Sequence, residues 1–328
     1  MSTTPLEKLQ STLAPELKML RENMTTALAS NNAPMNQITE NYLKTHGKQI
    51  RPILVILSAK LFGGVNPRVI QAASAVELLH NASLIHDDVV DETKLRRDTP
   101  TLNRVWDNMI AVLVGDYFVS CALYQAILTG DIRITASLAQ LGRLLSLGEI
   151  DQIFNAREHR LDEEAYLSVI SQKTASLFVA CVEMGAYAVG IDDEERIRPV
   201  AQFAELLGRC FQIRDDVFDY YDNEVGKPTG NDLREGKITL PLLHVLTDSS
   251  LPRHDEMLAM SRKADLSPDE IAMLITYARD NGGIDYAYSV MERLRSEADT
   301  VITRAYPDGG EAIDALREIF SYIINRDY

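Results

Sequence analysis

Cysteine and long apolar runs are scarce in this sequence of 328 residues, and both shortages limit where the protein can reside. The three cysteines, Cys121, Cys181 and Cys210, form no CxxC pair, so we predict free thiols in a reducing compartment. The best apolar run, residues 109–114, is far too short to span a membrane. The N-terminus lacks the basic and apolar pattern of a signal peptide. We therefore expect a cytoplasmic protein without a transmembrane segment.

Positive charge is also in deficit. The chain has 33 lysines and arginines against 48 aspartates and glutamates, which gives a formal net charge of −15. Because the backbone of a nucleic acid is bound by net basic surfaces, this balance argues against a nucleic-acid partner. It also means that any local cluster of basic residues needs a specific reason.

Strand-like alternation and several common binding motifs are missing. The sequence has no Walker-type phosphate loop, HExxH, EF-hand loop or GxGxxG pattern. Glycine and proline are few, and most of them separate long stretches of helical periodicity. Apart from two acidic stretches, no repeat or linker divides the chain. The sequence therefore predicts an all-α fold in a single domain, residues 1–328.

The two acidic stretches, residues 84–92 and 211–219, are the most informative feature that is present. In a helix, Asp87 and Asp91 project from one face four positions apart, and Asp215 and Asp219 repeat this spacing. One such motif is more often a solvated helix face, but here the apolar surroundings make unpaired carboxylates expensive to bury. We predict that the two pairs face each other across a cavity and hold Mg²⁺, which prefers oxygen ligands and shares its coordination shell with phosphates.

Basic residues near helix ends suggest two anion sites. Any one of them is more often an ordinary surface cation, but they fall in turns marked by glycine or proline, where phosphates bind well. The first set is Lys48, Arg51 and Arg97, and the second is Arg96, Lys173, Lys227 and Lys237. Two anion sites, a metal cluster and apolar surroundings indicate a reaction of diphosphates with apolar tails. Magnesium would act as a Lewis acid on the leaving group, and the helices would keep water from the resulting allylic cation.

Five sequence blocks resemble, in the same order, those of the trans-prenyl diphosphate synthase family, and they span nearly the whole chain. The blocks are residues 47–52, His80 with 87–97, 173–174, 211–219 and 226–241. The resemblance implies a helical bundle of the isoprenoid synthase type with a central active-site cavity. It also implies a homodimer that condenses isopentenyl diphosphate head to tail with an allylic diphosphate.

The same resemblance implies a role for each matching residue. The direct Mg²⁺ ligands would be Asp87, Asp91 and Asp215, assisted by Asp88, Asp216 and Asp219. Isopentenyl diphosphate would be held by Lys48, Arg51, His80 and Arg97. The allylic diphosphate would be held by Arg96, Lys173, Lys227 and Lys237, with Thr174 and Gln212 near the developing cation. Lys173, Thr174 and Gln212 are thus the predicted catalytic residues, and the released pyrophosphate would serve as the base.

Three positions depart from the family pattern. The family often has glycine where this chain has His46, arginine where it has Gln49, and glycine where it has Asp98. An acid at position 98 would weaken the isopentenyl site slightly or pair with a neighbouring arginine. None of the three departures removes a predicted ligand.

Small residues before the first acidic stretch bear on product length. If the growing chain passes down the helix away from Asp87, the residues that line its tunnel are Ala82, Ser83, Leu79, Val76 and Ala75. Ala82 and Ser83 leave room, so we predict a long-chain product of the octaprenyl or solanesyl type, a precursor of a quinone side chain. Ala82→Tyr should then shorten the product. The alternatives are that these residues only pack another helix, and that the enzyme makes farnesyl or geranylgeranyl diphosphate.

Other classes of protein remain as rivals. A terpene cyclase would use the same ionisation but would need no isopentenyl site, against which the block at Lys48 and Arg51 argues. A non-catalytic subunit of a heteromeric synthase should have lost acids from the two stretches, and both are intact. A protein that buffers divalent cations would leave the basic clusters unexplained.

Overall fold

The structure is a computed structural model, and it describes residues 4–43, 47–96, 99–221, 229–263 and 265–326. Helices dominate, which confirms the predicted all-α class. The helices are α1 Pro5–Thr12, α2 Ala14–Leu28, α3 Ala33–Leu43, α4 Ile50–Phe62, α5 Pro67–Val90, α6 Leu102–Val105, α7 Asn108–Leu128, α8 Ile132–Arg157, α9 Glu163–Ile170, α10 Ser176–Ala188, α11 Glu194–Phe218, α12 Asn231–Arg234, α13 Leu240–Thr247, α14 His254–Ser261, α15 Pro268–Asp280, α16 Gly283–Ala305 and α17 Glu311–Asn325. A π-helical turn, Ser171–Ala175, joins α9 to α10, and a small antiparallel hairpin pairs β1 Leu95–Arg96 with β2 Thr99–Pro100.

The chain divides into two compact units. The first comprises Met1–Arg143, Leu177–Ala204 and Ala305–Ile319. The second comprises Leu144–Ser176, Glu205–Arg304 and Phe320–Tyr328. The expectation of a single domain stays a prediction.

Local sequence signals set several helix ends. The Asn66 side chain caps α5 by accepting the backbone N–H of Val69, and Pro67 fits the first turn. A capping box precedes α15, because Ser267 and Glu270 accept each other's backbone N–H groups. The helix α3 begins at Ala33, just before Pro34, and the short helix α12 lies within the block of residues 226–241.

In the first unit, α5 packs against α2, α4 and α7. Small buried side chains, such as Ala82 on α5 and Ala111 on α7, allow the helices to approach closely. Gly115 is required at one contact, because a Cβ atom there would lie 2.2 Å from His86 Nε2. The long apolar helix α5 thus presents its C-terminal acids from a rigidly packed base.

In the second unit, α13 contacts α9, α14 and α15. Its side chains Leu240, Leu242 and Val245 are fully buried. The chain approaches α15 closely at Gly230, which has a positive φ of 77° and where a Cβ atom would lie 2.3 Å from Ile271 Cγ2. This contact fixes the start of the segment that carries α12 and Lys237.

Two helical segments are long and apolar enough, by length and composition, to cross a membrane: Asn108–Leu128 and Glu163–Ala188. The apolar run at residues 109–114 covers only part of the first segment, because Gly115, Asp116 and Ser120 interrupt the apolar sequence after it. Buried core helices pass the same test, so the finding is weak evidence for a membrane span. The expected absence of a transmembrane segment therefore stays a prediction.

Candidate active site

The first acidic stretch ends α5 as predicted. Asp87 and Asp91 lie one turn apart, and the backbone N–H of Asp91 donates to the Asp87 carbonyl at 2.8 Å. Carboxylates at the C-terminal end of a helix lie against the negative end of its dipole. Their arrangement is therefore unfavourable by itself and favours the binding of a cation.

Asp88, the second acid of this stretch, pairs with an arginine nearby in the sequence. Asp88 is buried, and its Oδ1 atom accepts hydrogen bonds from Arg96 Nε at 2.9 Å and from Arg96 Nη2 at 2.7 Å. Burial disfavours the charge on Arg96, but Asp88 more than offsets this effect and the pKa of Arg96 is raised. Asp88 therefore holds Arg96, a residue predicted to bind the allylic diphosphate, beside the other two acids.

The first unit also carries most of the residues predicted to bind isopentenyl diphosphate. Lys48 is exposed before α4, and the Arg51 guanidinium carbon lies 6.0 Å from the centre of the Phe178 ring. His80 is buried on α5. Gln49, where the family often has arginine, adopts a left-handed conformation with φ 54° and begins α4. Arg97, together with the departures His46 and Asp98, lies outside the described residues.

The predicted tunnel residues differ in their accessibility. Ala75, Val76 and Ala82 are fully buried, and Leu79 is nearly so. Ser83 remains partly exposed, and its hydroxyl donates to the His80 carbonyl at 2.8 Å. Ser83 is therefore the member of the set whose side chain a substrate can reach without repacking of the helices.

The second acidic stretch ends α11 in the second unit. Asp215 pairs with the guanidinium of Arg326, which also lies 4.4 Å from the centre of the Phe211 ring. Arg214 donates to the Arg326 carbonyl at 2.7 Å and so fixes the C-terminal segment. The stretch has the same unfavourable position as the first, at the negative end of a helix dipole. The prediction that the two stretches face each other across one cavity stays a prediction.

Asp216 is the centre of a hydrogen-bond network. Its Oδ2 atom accepts from the Tyr166 hydroxyl at 2.6 Å, and its Oδ1 atom accepts from Gln212 Nε2 at 2.7 Å. The Thr174 hydroxyl in turn donates to Gln212 Oε1 at 2.7 Å. The structure thus connects two predicted catalytic residues, Thr174 and Gln212, with a predicted metal-binding acid.

Asp219 contacts the chain after α11 instead of its neighbouring acids. Its two carboxylate oxygens accept the backbone N–H groups of Asn231 and Asp232, each at 3.0 Å. Asp219 therefore caps α12 and anchors the segment that carries Lys237. Lys237 Nζ lies 2.5 Å from Glu235 Oε2. Lys227 lies outside the described residues.

The second unit contains a cavity of about 170 Å³. Its lining includes Tyr166, Lys173, Thr174, Gln212, Asp216 and Lys237. Lys173 forms an ion pair with Glu149 on α8. The cavity brings together the three predicted catalytic residues and two lysines predicted to bind the allylic diphosphate, Lys173 and Lys237.

Burial raises the pKa of three carboxyl groups beside the cavity. It raises the pKa of Asp216 to about 7, and the charges of Asp215 and Asp219 add to the effect, although Tyr166 and Gln212 oppose it. The pKa values of Asp219 and Asp232 are raised as well, and burial is again the largest cause. Crowded carboxylates of this kind are stabilised in their ionised form by a nearby cation.

The π-helical turn places Lys173 and Thr174 on the cavity wall. Such turns insert one extra residue into a helix and are frequent at functional sites. Gly148 on α8 permits the turn, because a Cβ atom there would lie 2.9 Å from the Lys173 backbone nitrogen and 3.0 Å from Gln172 Cβ. The π-helical turn and α8 must therefore come unusually close for the predicted catalytic residues Lys173 and Thr174 to reach their positions.

We expect Gly148→Ala to lower kcat roughly tenfold, because small displacements of catalytic groups have large effects on rate. Overpacking at this contact should also cost about 1–3 kcal/mol in the free energy of unfolding. The matched control is Gly142→Ala in the same helix, where an added Cβ atom meets nothing within 4 Å. It should keep full activity and raise stability by about 0.4–1 kcal/mol, measured by urea unfolding. Equal kinetics in the two variants would contradict a role for the close approach.

The donor set suits a hard cation that shares its ligands with a substrate. Within the described ranges, no group of three or more histidine, cysteine, aspartate or glutamate side chains forms a metal site by itself. Magnesium is usually bound by one or two carboxylates together with water and phosphate oxygens. The oxygen-only acids at the ends of α5 and α11 therefore fit Mg²⁺ if a diphosphate completes its shell.

Sequence reasoning missed three residues of this region. Tyr166 carries no motif, so its contact with Asp216 becomes visible only in the folded chain. Asp232 belongs to neither acidic stretch, and its proximity to Asp216 and Asp219 depends on the fold. Arg326 lies 111 positions from Asp215, a separation that no local pattern can bridge.

Comparison with known proteins identifies the family. A sequence profile described as polyprenyl synthetase matches residues 32–278. Component 2 of the heptaprenyl diphosphate synthase of Geobacillus stearothermophilus is 34% identical over 98% of this chain and 99% of that protein. These matches cover both acidic stretches and the π-helical turn.

Solved structures agree in fold. A decaprenyl diphosphate synthase from Rhodobacter capsulatus aligns with a TM-score of 0.89 and 29% identity, over 97% of this chain and 98% of that one. A geranylgeranyl pyrophosphate synthase from Bacteroides thetaiotaomicron aligns with a TM-score of 0.83 and 34% identity, over 98% and 99% of the two chains. The chain therefore belongs to the polyprenyl synthetase family, whose members are prenyltransferases.

Proposed function

We propose that the protein condenses isopentenyl diphosphate head to tail with an allylic diphosphate, and that repeated cycles give a long-chain all-trans polyprenyl diphosphate. The observation that carries the proposal is the network of Thr174, Gln212 and Asp216 beside Lys173 in one cavity. Lysines bind a diphosphate, while oriented hydroxyl and amide oxygens stabilise positive charge that develops next to it.

The proposed reaction has three steps: ionisation, carbon–carbon bond formation and loss of a proton. The bond between the allylic C1 atom and its diphosphate oxygen breaks, and the electron pair leaves with the diphosphate. Lys173 and Lys237 stabilise the charge that develops on the leaving group, with Arg96 and Lys227 as further proposed partners. The double bond of isopentenyl diphosphate, held by Lys48, Arg51, His80 and Arg97, attacks C1 and forms the new carbon–carbon bond. A proton then leaves to the released pyrophosphate, and the double bond of the product forms.

We further propose that Mg²⁺ is the cofactor, bound directly by Asp87, Asp91 and Asp215 and supported by Asp88, Asp216 and Asp219. The ion would supply Lewis-acid stabilisation of the leaving diphosphate. The support for this proposal is electrostatic: both acidic stretches end helices at the negative end of the dipole, and burial raises the pKa of Asp216 and Asp219.

A long-chain product is the finer part of the proposal. It draws on the small side chains of Ala82 and Ser83 and on the names of the heptaprenyl and decaprenyl relatives. The geranylgeranyl synthase is equally similar in sequence, so a shorter product is the alternative that a product assay must distinguish. The proposed use of a long product is as the side chain of a quinone.

Isotope incorporation tests the reaction class. Purified protein should transfer labelled isopentenyl diphosphate onto farnesyl diphosphate with one pyrophosphate released per unit added, and EDTA should stop the reaction until Mg²⁺ is restored. Cyclic hydrocarbon from the allylic substrate alone would indicate a terpene cyclase. Pyrophosphate release and elongation that appear only after addition of a second protein would indicate a subunit of a heteromeric synthase.

We propose a homodimer that forms through the exposed apolar face of α7. This face comprises Met109, Leu113, Leu123, Tyr124 and Ile127, which are all exposed. Large exposed apolar patches mark interaction sites, and a second copy with a charge of −15 can approach most easily where charge is low. Asp116 is the single Asp, Glu, Lys or Arg of α7, and it is exposed on this same face. The same face on two copies would meet in a two-fold dimer.

The wild-type protein should therefore have a mass in solution of twice 36.7 kDa, measured by light scattering after size exclusion. Leu113→Glu should shift it to the monomer, because a charge on each copy would be desolvated at the interface. Met19→Glu, at an exposed apolar residue of α2, is the control and should leave the dimer intact. A monomeric wild type, or a dimer that survives Leu113→Glu, would contradict the proposal.

A cytoplasmic location is also part of the proposal. Its support is the set of free cysteines, of which Cys181 and Cys210 are buried, as expected in a reducing compartment.

A further inference from the structure

We propose that Tyr166 is a positioning residue, which sets the orientation of the Gln212 amide through Asp216. The inference rests on the proposed function, because it assigns a task within the same reaction. Tyr166 belongs to α9, whereas Gln212 and Asp216 belong to α11. The hydrogen bond between Tyr166 and Asp216 thus joins two helices of the second unit at the cavity wall.

The directions of the hydrogen bonds follow from the groups involved. A tyrosine hydroxyl and an amide N–H group donate to the two oxygens of Asp216, at 2.6 Å and 2.7 Å. The amide nitrogen of Gln212 must therefore face Asp216, and its oxygen must face Thr174 and accept from that hydroxyl. With these hydrogen bonds in place, the lone pairs of the Thr174 hydroxyl oxygen and the second lone pair of Gln212 Oε1 remain available to stabilise positive charge in the cavity.

Tyr166 is needed for this arrangement of hydrogen bonds because Asp216 is buried, with only 5% of its surface exposed. Without the tyrosine hydroxyl, one carboxylate oxygen would lose its partner in a place that water reaches poorly. The carboxylate would then rotate toward other donors, and Gln212 would lose its fixed direction. The Tyr166 hydroxyl donates to Asp216 and not to a substrate group, so substrate affinity should depend little on it.

Tyr166→Phe should lower kcat roughly tenfold and leave KM for both diphosphates within about twofold, since it removes orientation but no substrate contact. The matched control is Tyr286→Phe. Tyr286 also donates to a carboxylate, that of Glu163 in α9, at 2.8 Å. It should leave both constants unchanged, although it removes the same kind of bond from the same unit. Equal kinetic effects in the two variants, or a rise in KM without a fall in kcat, would overturn the inference.

A second measurement does not need turnover. In the wild-type protein with ¹⁵N-labelled side-chain amides, the Gln212 amide should give a signal that exchanges slowly with water. The signal is assigned by its loss in Gln212→Glu. Tyr166→Phe should broaden the signal or speed its exchange, and Tyr286→Phe should not. An unchanged Gln212 signal in Tyr166→Phe would overturn the inference even if the wild type failed to elongate any substrate, a failure that would count against the proposed function alone.

Discussion

Asp87→Asn should lower kcat by about 10³-fold or more, which corresponds to about 4 kcal/mol of lost transition-state stabilisation. The substitution keeps the size of the side chain and removes the negative charge that a divalent cation would bind. Asp87 lies at the C-terminal end of α5, so the change also relieves an unfavourable contact with the helix dipole. The change also weakens the attraction between Asp87 and Arg96, so the variant should unfold at a urea concentration close to that of the wild type while its catalysis is nearly lost.

Glu92→Gln is the matched control for this experiment. Glu92 is the last residue of the same acidic stretch, but it is exposed and lies beyond the end of α5. Its kcat should stay within about threefold of the wild-type value, because a surface carboxylate contributes little. Steady-state assays across a Mg²⁺ titration would measure both variants. If Asp87→Asn kept wild-type turnover at the same Mg²⁺ concentration, the proposed metal site would be wrong.

Ser83→Phe should shorten the product to about four isoprene units or fewer if the growing chain passes along α5, since that tunnel lies against a packed apolar core. The sequence directed attention to Ala82→Tyr, but Ala82 is fully buried, and a large ring there would have to displace its neighbours. Ser83 lies one turn before Asp87 and is partly exposed. A ring at this position can therefore block the tunnel without disrupting the packing of α5.

Asn81→Phe provides the control for product length. Asn81 is also a partly exposed polar residue of α5, but it is about 200° around the helix from Ser83. It should leave the product distribution unchanged, as measured by chromatography of the dephosphorylated polyprenols. A wild-type distribution from Ser83→Phe, with normal stability, would show that the chain does not grow along this face.

The sequence predicted the features that depend on local patterns. Pro67 and the helical periodicity after it indicate the start of α5, and the spacing of Asp87 and Asp91 places both acids on one face at its end. The capping box at Ser267 and Glu270 was also readable, because both of its hydrogen bonds join residues three positions apart. Family motifs then gave the candidate site residues, which the described part of the structure distributes between its two units.

Features that depend on distant contacts could not be predicted. The π-helical turn at Lys173 depends on a close approach of Gly148, and no sequence pattern within the turn indicates this contact. Asp219 is predicted to assist the metal, but its spacing from Asp215 did not indicate that its oxygens also accept two backbone N–H groups at the start of α12. Tyr166 in α9 and Arg326 just after α17 contact the second acidic stretch from distant parts of the sequence, so their roles follow from tertiary packing alone.

The chain length of the wild-type product tests the central claim most directly. The protein would be incubated with Mg²⁺, labelled isopentenyl diphosphate and farnesyl diphosphate, and the dephosphorylated products would be resolved by chromatography. We predict a ladder of products that converges on a long all-trans polyprenol. Products that stop at farnesol or geranylgeraniol length, under saturating isopentenyl diphosphate, would contradict the claim of a long-chain synthase.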